Sequence, residues 1–282
     1  MSMSNRHRTV NTQPFSDRHW TLYHRTEDWD FGMTFIRNTI SALAVCTAIF
    51  GFGCAQTASA ACINPPGFMS VETQPVQLQD PNWQAKLNEL EASVAVADLS
   101  RVRTVFIGDS ITEAWPPELF QHFYGTRAAL NLGVRGDNTQ GLLWRIPRMP
   151  LGTRLKPQTV VLLIGTNDLW TGAVPSNIAA GVSEVLVALR QRLPTAKILL
   201  IELLPRGVEP SDPLRAIITA TNKLLDACAA PGIEVVNPGP LLLDGRGFLT
   251  NDVAYDGLHP SWLGYSMLGT AIEPTMKRLI GD

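Results

Sequence analysis

Residues Val102–Trp115 read VRTVFIGDSITEAW, and the fold is decided there. Val102–Ile107 is an apolar, β-branched run of strand type, broken by Gly108 and followed by Asp109 and Ser110 at a turn. Helix-compatible residues come next, until Pro116 and Pro117 stop them. A strand that breaks at glycine and presents a serine at its carboxyl edge is where open α/β sheets keep their chemistry. Two readings of Ser110 compete within this stretch. Ser110 with Glu113 three residues on fits the capping box S-x-x-E, which makes the serine a helix N-cap. The alternative is a nucleophile at the mouth of a helix, its backbone N–H aimed at a developing oxyanion.

Outward from this stretch, strands and helices alternate. The pattern predicts strands over 102–107, 128–134, 159–164, 197–203 and 233–237. Apolar spacing of helical period predicts helices over 83–99, 119–124, 139–146, 175–191, 213–230 and 262–280, the last with a kink at Pro274. Such alternation forces a parallel sheet with helices on both faces. The expectation is one three-layer α/β/α domain over 81–282 around a central, mostly parallel five-stranded sheet, preceded by an irregular lead-in over 61–80.

Composition narrows the function. The chain has 282 residues, a formal charge of −2 and 17% charged residues, with no Lys/Arg cluster interleaved with aromatics, so nucleic acid is not an expected partner. Residues 1–32 are polar and aperiodic, and read as disordered or as an overlong gene start. Residues 33–60 have the layout of a signal peptide: Arg37, the uncharged apolar run Ile40–Phe52, then Ala58-Ser59-Ala60 with cleavage after Ala60. Met33 is then the natural start, and the mature protein is exported, to the periplasm or beyond. The apolar run is short of the ~20 residues a membrane span needs, so no stable anchor is expected. Gly51, where lipoprotein signals carry a larger aliphatic residue, argues against lipidation at Cys54. Cleavage leaves Cys62 and Cys228, free to pair in an oxidising compartment. No C-x-x-C or Cys/His cluster points to a metal, and no cofactor is implied.

Ligands of open α/β sheets bind beyond the carboxyl ends of the strands, so the polar residues after each strand should meet in space. These are Gly108-Asp109-Ser110, Arg135–Thr139, Gly165–Asp168, Pro205–Gly207 and, near the end of the chain, Tyr255–Pro260. Singly, each is ordinary turn or cap chemistry. Together they hold a hydroxyl, an imidazole with a carboxylate nearby, a glycine N–H and a side-chain amide: the parts of an acyl-transfer site. Asp109 and Asp137 are expected to bond loop backbone N–H groups, and Arg135 and Arg206 to be solvated. Trp115, Trp144, Trp170 and Trp262 are divided between pocket wall and core.

This combination resembles the SGNH hydrolases, also called GDSL-type lipases and esterases. I107-G-D-S-I-T is similar to that family's nucleophile block, with Ile111 where many members have Leu; N131-L-G-V-R-G-D-N-T to its glycine block; G165-T-N-D to its asparagine block; and D256-G-L-H to its D-x-x-H block. The four stand in family order across Gly108–His259. N-L-G-V-R-G-D-N-T…L-W-R-I and L-L-P-R-G are most similar to the catalytic subunits of the platelet-activating factor acetylhydrolase Ib type, from which an export signal departs. The G-x-S-x-G elbow of α/β-hydrolases is absent.

The resemblance implies a flavodoxin-like fold and a secreted serine esterase acting on short-chain acyl esters, acetyl among them. Ser110 would be the nucleophile, His259 its base and Asp256 the residue orienting the imidazole, with an oxyanion hole made by Ser110, Gly136 and Asn167. The same machinery would suit an acetylated carbohydrate, a lysophospholipid or a thioester. From other classes, an exported non-catalytic binding protein is opposed by the complete residue set. A metal phosphoesterase using Asp109, Asn167, Asp168 and His259 is distinguishable by its sensitivity to chelators. A small-molecule ester is the expected partner; oligomeric state is left open.

Overall fold

A computed structural model describes Cys62 and residues 69–281, which belong to one compact unit. The expectations for 1–32 and for the signal peptide at 33–60 lie outside the described residues.

Five strands form one sheet: β1 (Thr104–Gly108), β2 (Ala129–Asn131), β3 (Thr159–Leu163), β4 (Lys197–Ile201) and β5 (Ile233–Val236). Their order is β2-β1-β3-β4-β5, and every neighbouring pair is parallel. Among the described residues, seven α-helices surround the sheet: α1 (Pro81–Val96), α2 (Ser110–Glu113), α3 (Pro117–Tyr124), α4 (Thr139–Arg145), α5 (Pro175–Arg192), α6 (Pro213–Leu225) and α7 (Trp262–Ile280).

The pleat divides the core in two. Val105, Ile107, Val160, Leu162, Ile198 and Leu200 face one layer with α1, α4, α5 and α6. Phe106, Val161, Leu163, Leu199 and Ile201 face the other, with Trp115, α3 and α7. A parallel strand covered on both faces must be apolar at successive positions, and VVLL and ILLI in β3 and β4 are so. Each fully buried Val, Leu or Ile contributes about 1.5–3 kcal/mol of hydrophobic stabilisation.

Helix starts follow from sequence chemistry. Pro81, Pro175 and Pro213 occupy first-turn positions, where a missing N–H costs nothing. Asp80 accepts from the Trp83 N–H at 2.8 Å, Asp212 from Leu214 at 2.9 Å and Asn138 from Gly141 at 2.9 Å. Helix α7 runs through Pro274 and ends at Gly281, whose φ of 81° suits a residue without Cβ.

Several element boundaries differ from expectation, those of β1, β2 and α6 among them. Strand β1 starts later and runs one residue further, through Gly108. The second strand is shorter than 128–134 because Asn131 turns its side chain back onto the Gly133 N–H at 2.9 Å, yet the chain stays beside β1 through Leu132 N–H to Phe106 O and Val134 N–H to Gly108 O. Helix α6 gives way at Asp226 to a 3₁₀ turn ending at Cys228. Cys228 is disulfide-bonded to Cys62, the pair left after the expected cleavage. Within the lead-in, Val71–Thr73 makes a 3₁₀ turn, and the Val76 N–H donates to Gln140 O at the start of α4.

The order β2-β1-β3 puts the topological switch point between β1 and β3. In such sheets the crevice outside the carboxyl ends of those two strands is the ligand site.

Candidate active site

At the switch point lies a cavity of about 810 Å³, open to solvent, lined by Ser110, Gly136, Asn167, Asp256 and His259 among others. All five residues singled out from the sequence therefore meet in one place, although 149 positions separate Ser110 from His259.

The turn that presents Ser110 is built from its neighbours. Gly108 has no room for a side chain: a Cβ there would sit 2.2 Å from Leu163 O and 2.3 Å from Thr112 Oγ1. Asp109, fully buried, is the N-cap of α2, its Oδ1 accepting from the Ile111 N–H at 2.9 Å. This corrects the capping-box reading of Ser110, which is the first residue inside the helix. Because β1 continues through Gly108, the cap position moves back by one residue onto a side chain equally suited to it. The Ser110 N–H is then one of the orphan donors of a helix start. Glu113, expected to complete the box, instead accepts from the Arg135 N–H at 2.5 Å and from Arg135 Nε at 2.9 Å, tying the loop before Gly136 to the nucleophile helix.

Ser110 Oγ stands 2.9 Å from His259 Nε2, and His259 Nδ1 stands 2.7 Å from Asp256 Oδ2. A carboxylate at Nδ1 holds the proton there, so Nε2 is free to accept from the serine hydroxyl. Asp256 Oδ1 accepts from the N–H groups of His259 at 2.7 Å and Leu258 at 3.0 Å. Desolvation alone would raise the Asp256 pKa, but the bonds from the His259 ring and the two backbone N–H groups outweigh it and hold the carboxyl below its usual range. Tyr255 stacks parallel to the imidazole, with ring centroids 6.0 Å apart.

Across the cavity, Gly136 has φ of 76° and is exposed, and no atom lies within 4 Å of a Cβ built on it. Asn167 donates from Nδ2 to Asp137 O at 2.8 Å. An amide carries two N–H bonds; spending one on a neighbouring carbonyl fixes the group and leaves the second for a ligand oxygen.

Beneath these loops lies a buried acidic layer. Asp109 and Asp168 are each pushed up to about 7, chiefly by desolvation, and Asp137 is raised by the same cause. Asp168 accepts from Thr139 Oγ1 at 2.6 Å and the Thr139 N–H at 3.2 Å. Asp137 departs from expectation: its carboxylate meets Arg145 Nε at 2.6 Å and Trp83 Nε1 at 3.1 Å, partners contributed by α4 and α1. Arg145 Nη2 also donates to Gly108 O at 3.1 Å, joining the glycine-block loop to the nucleophile turn. Arg145 stands in the L-W-R-I stretch of the resemblance, but local sequence gives neither it nor Trp83 a partner, and both meet Asp137 only through the fold.

Arg206 also differs from expectation, being buried rather than solvated. Its guanidinium lies 3.9 Å from the ring centroid of the exposed Trp170, and burial lowers its pKa against the raising influence of Asp212, Asp256 and Asp109. Arg135 is exposed, as expected, but bonded to Glu113. Of the four tryptophans considered, Trp170 lines the cavity, whereas Trp115 is core and Trp144 packs edge-on to Trp83.

The model of the GDSL-like lipase/acylhydrolase family matches residues 106–267. The chain is 30% identical over 214 residues to platelet-activating factor acetylhydrolase IB subunit alpha1 of Homo sapiens, an alignment covering 74% of this chain and 91% of that protein. Among solved structures it is similar to a GDSL-like lipase from Bacteroides thetaiotaomicron (TM-score 0.53, 22% identity, 69% of this chain and 98% of that one). It is also similar to an acetyl-xylooligosaccharide esterase from Geobacillus Stearmophilus (TM-score 0.51, 20% identity, 64% and 94%). These likenesses carry the fold; the family match and the curated relative carry the chemistry. The chain belongs to the GDSL-like lipase/acylhydrolase family and is an ester hydrolase.

Proposed function

We propose that the protein is an exported serine esterase that hydrolyses short-chain acyl esters, acetyl esters among them. The observation that carries this reading is the unbroken chain from Ser110 Oγ through the His259 ring to Asp256, at 2.9 and 2.7 Å, lining an open cavity. In the proposed reaction His259 Nε2 takes the Ser110 proton as Oγ attacks the ester carbonyl, and the protonated imidazole then returns it to the departing alkoxide. Water attacks the acyl-Ser110 ester with His259 again as base, releasing the carboxylate and restoring the serine. The N–H groups of Ser110 and Gly136 and the Asn167 amide stabilise the oxyanion in both steps. Asp256 keeps the imidazole oriented and stabilises its cationic form.

Export is supported by the signal-like sequence over 33–60 and by the Cys62–Cys228 disulfide, a bond that persists in oxidising compartments. A mature N-terminus at Ala61, read by mass spectrometry, is the expected outcome, and a chain retaining Met1 or Met33 contradicts it.

An acetylated carbohydrate is the second reading. The exposed rings of Trp170 and Tyr255 at the mouth of the cavity offer apolar faces of the kind a sugar stacks on, and one fold relative acts on acetyl-xylooligosaccharides. A p-nitrophenyl ester series beside acetylated xylooligosaccharide decides between them, with Ser110→Ala as control. Highest kcat/KM for acetate to butyrate esters supports the first reading, and preference for the sugar supports the second. Preference for long chains contradicts both, and inactivity on every ester favours a binding protein.

A further inference from the structure

A second cavity, of about 420 Å³, opens between α1 and the segment from Arg145 to Arg154. Its two walls differ in chemistry. Helix α1 contributes Leu87, Leu90 and Val94, spaced along one face of the helix, and Leu132 continues this apolar surface. The opposite wall carries three guanidinium groups, those of Arg145, Arg148 and Arg154.

Arg148 and Arg154 are held in place by contacts that leave their charge unspent, whereas Arg145 is ion-paired with Asp137. Arg148 lies 3.5 Å from the centroid of the Trp144 ring and donates to Trp144 O at 2.5 Å. Arg154 donates to Ala97 O at 3.2 Å. Among the described residues neither is paired with a carboxylate; Glu91, on the α1 side, is the one acid lining the cavity. Arg145 is almost wholly buried; its Nε and Nη2 are spent on Asp137 and Gly108 O, while Nη1 has no hydrogen-bond partner. Buried donors of this kind are rare without a partner.

We propose that this cavity binds an amphiphilic anion, with its carboxylate or phosphate head on the arginine wall and an unbranched apolar tail along α1. Guanidinium groups recognise such heads by paired, charge-assisted hydrogen bonds. The volume falls in the range of small-molecule sites. The site is distinct from the esterase cavity, with which it shares no lining residue, and touches it indirectly through Arg145 on Asp137 and Gly108. Through Arg145, occupancy therefore reaches the Gly108 carbonyl, two residues before Ser110, and the Asp137 carboxylate, next to Gly136, without obstructing the ester.

Isothermal titration calorimetry with decanoate and decyl phosphate tests this on the wild-type chain and on Arg148→Glu/Arg154→Glu, whose altered residues are exposed and outside the esterase site. The expected result is saturable binding of at least one of the two anions, weakened tenfold or more in the double variant. Acetate, which lacks the tail, and decyltrimethylammonium, which reverses the charge, are expected not to bind. Hydrolysis of p-nitrophenyl acetate by the unliganded double variant should match wild type, which separates this site from the catalytic one. Val94→Trp fills the apolar side and is expected to abolish binding while the arginines remain. Absence of binding by both anions, equal binding by the double variant, or equal binding of the ammonium overturns the proposal.

Discussion

The two loops that bring Ser110 and His259 to 2.9 Å from each other are built in opposite ways. The Ser110 turn grows out of a central strand and is gripped from several sides. Arg145 holds the Gly108 carbonyl, Asn131 Nδ2 donates to Thr112 O at 2.6 Å, and the Tyr265 hydroxyl donates to Ile111 O at 2.7 Å. Gly133 packs so closely that a Cβ on it would lie 2.3 Å from the Glu113 nitrogen. The Asp256–His259 loop is peripheral and largely ties itself together. Asp256 bonds the backbone of the next residues, Gly257 bonds Ala254, and one cross-link runs from the Gly207 N–H to Gly257 O at 2.9 Å. The Asp256 side chain stays 41% exposed, against none for Asp109. A nucleophile and its oxyanion donors must keep a fixed relation to one another. A base need only return to one hydrogen bond, and its carboxylate partner can work half in water.

That contrast orders the expected effects of mutation. His259→Ala removes the base hydrogen-bonded to Ser110 and is expected to lower kcat about 10⁶-fold. Asp256→Ala, which loses an exposed orienting group, is expected to cost about 10⁴-fold. Equal losses for the two would show that orientation by Asp256 matters as much as the base itself. Asn167→Ala removes one donor from the rigid side and is expected to lower kcat by roughly 10²–10³-fold with little change in KM. A kcat near wild type would remove Asn167 from the hole.

Stability sharpens the same comparison. Gly108→Ala forces a methyl group into the Leu163 carbonyl and is expected to cost about 3 kcal/mol or more, at the upper end of overpacking. Gly136→Ala meets no atom and carries only the strain of a left-handed backbone, about 1–2 kcal/mol. Urea denaturation of both variants checks the order, and a reversal would contradict the account of the packed turn.

The smallest effect concerns pH. Burial raises Asp109 from 3.8 to about 7, so between those values the folded state holds a proton that the unfolded chain has released. Stability from this group is complete below about pH 4 and is lost as pH rises through 7. Asp109→Asn keeps an acceptor for the Ile111 N–H and removes the titration. Its melting temperature relative to wild type is therefore expected to rise between pH 4 and pH 8. A constant difference across that range would place the Asp109 proton elsewhere.

Much of this was legible in the sequence because it is local. Continuous apolar runs, period-3.6 patterns and the breaks at Gly108, Gly165 and Pro175 mark the elements, and four short motifs after those elements mark the site. The strand order β2-β1-β3-β4-β5 is not local, and no pattern along the chain spells it out. Nor were the contacts made at long range: Arg145 and Trp83 on Asp137, and Arg206 on Trp170, join residues that no spacing relates. The shift of the cap from Ser110 to Asp109 has another origin. Asp and Ser cap equally well, and only the length of β1 chooses between them.

The most direct test of the central claim is covalent labelling with an active-serine fluorophosphonate, followed by mass-spectrometric mapping of the adduct. The account predicts one adduct on Ser110, absent in Ser110→Ala and formed much more slowly in His259→Ala. An adduct on another residue, or undiminished labelling of Ser110→Ala, would contradict it.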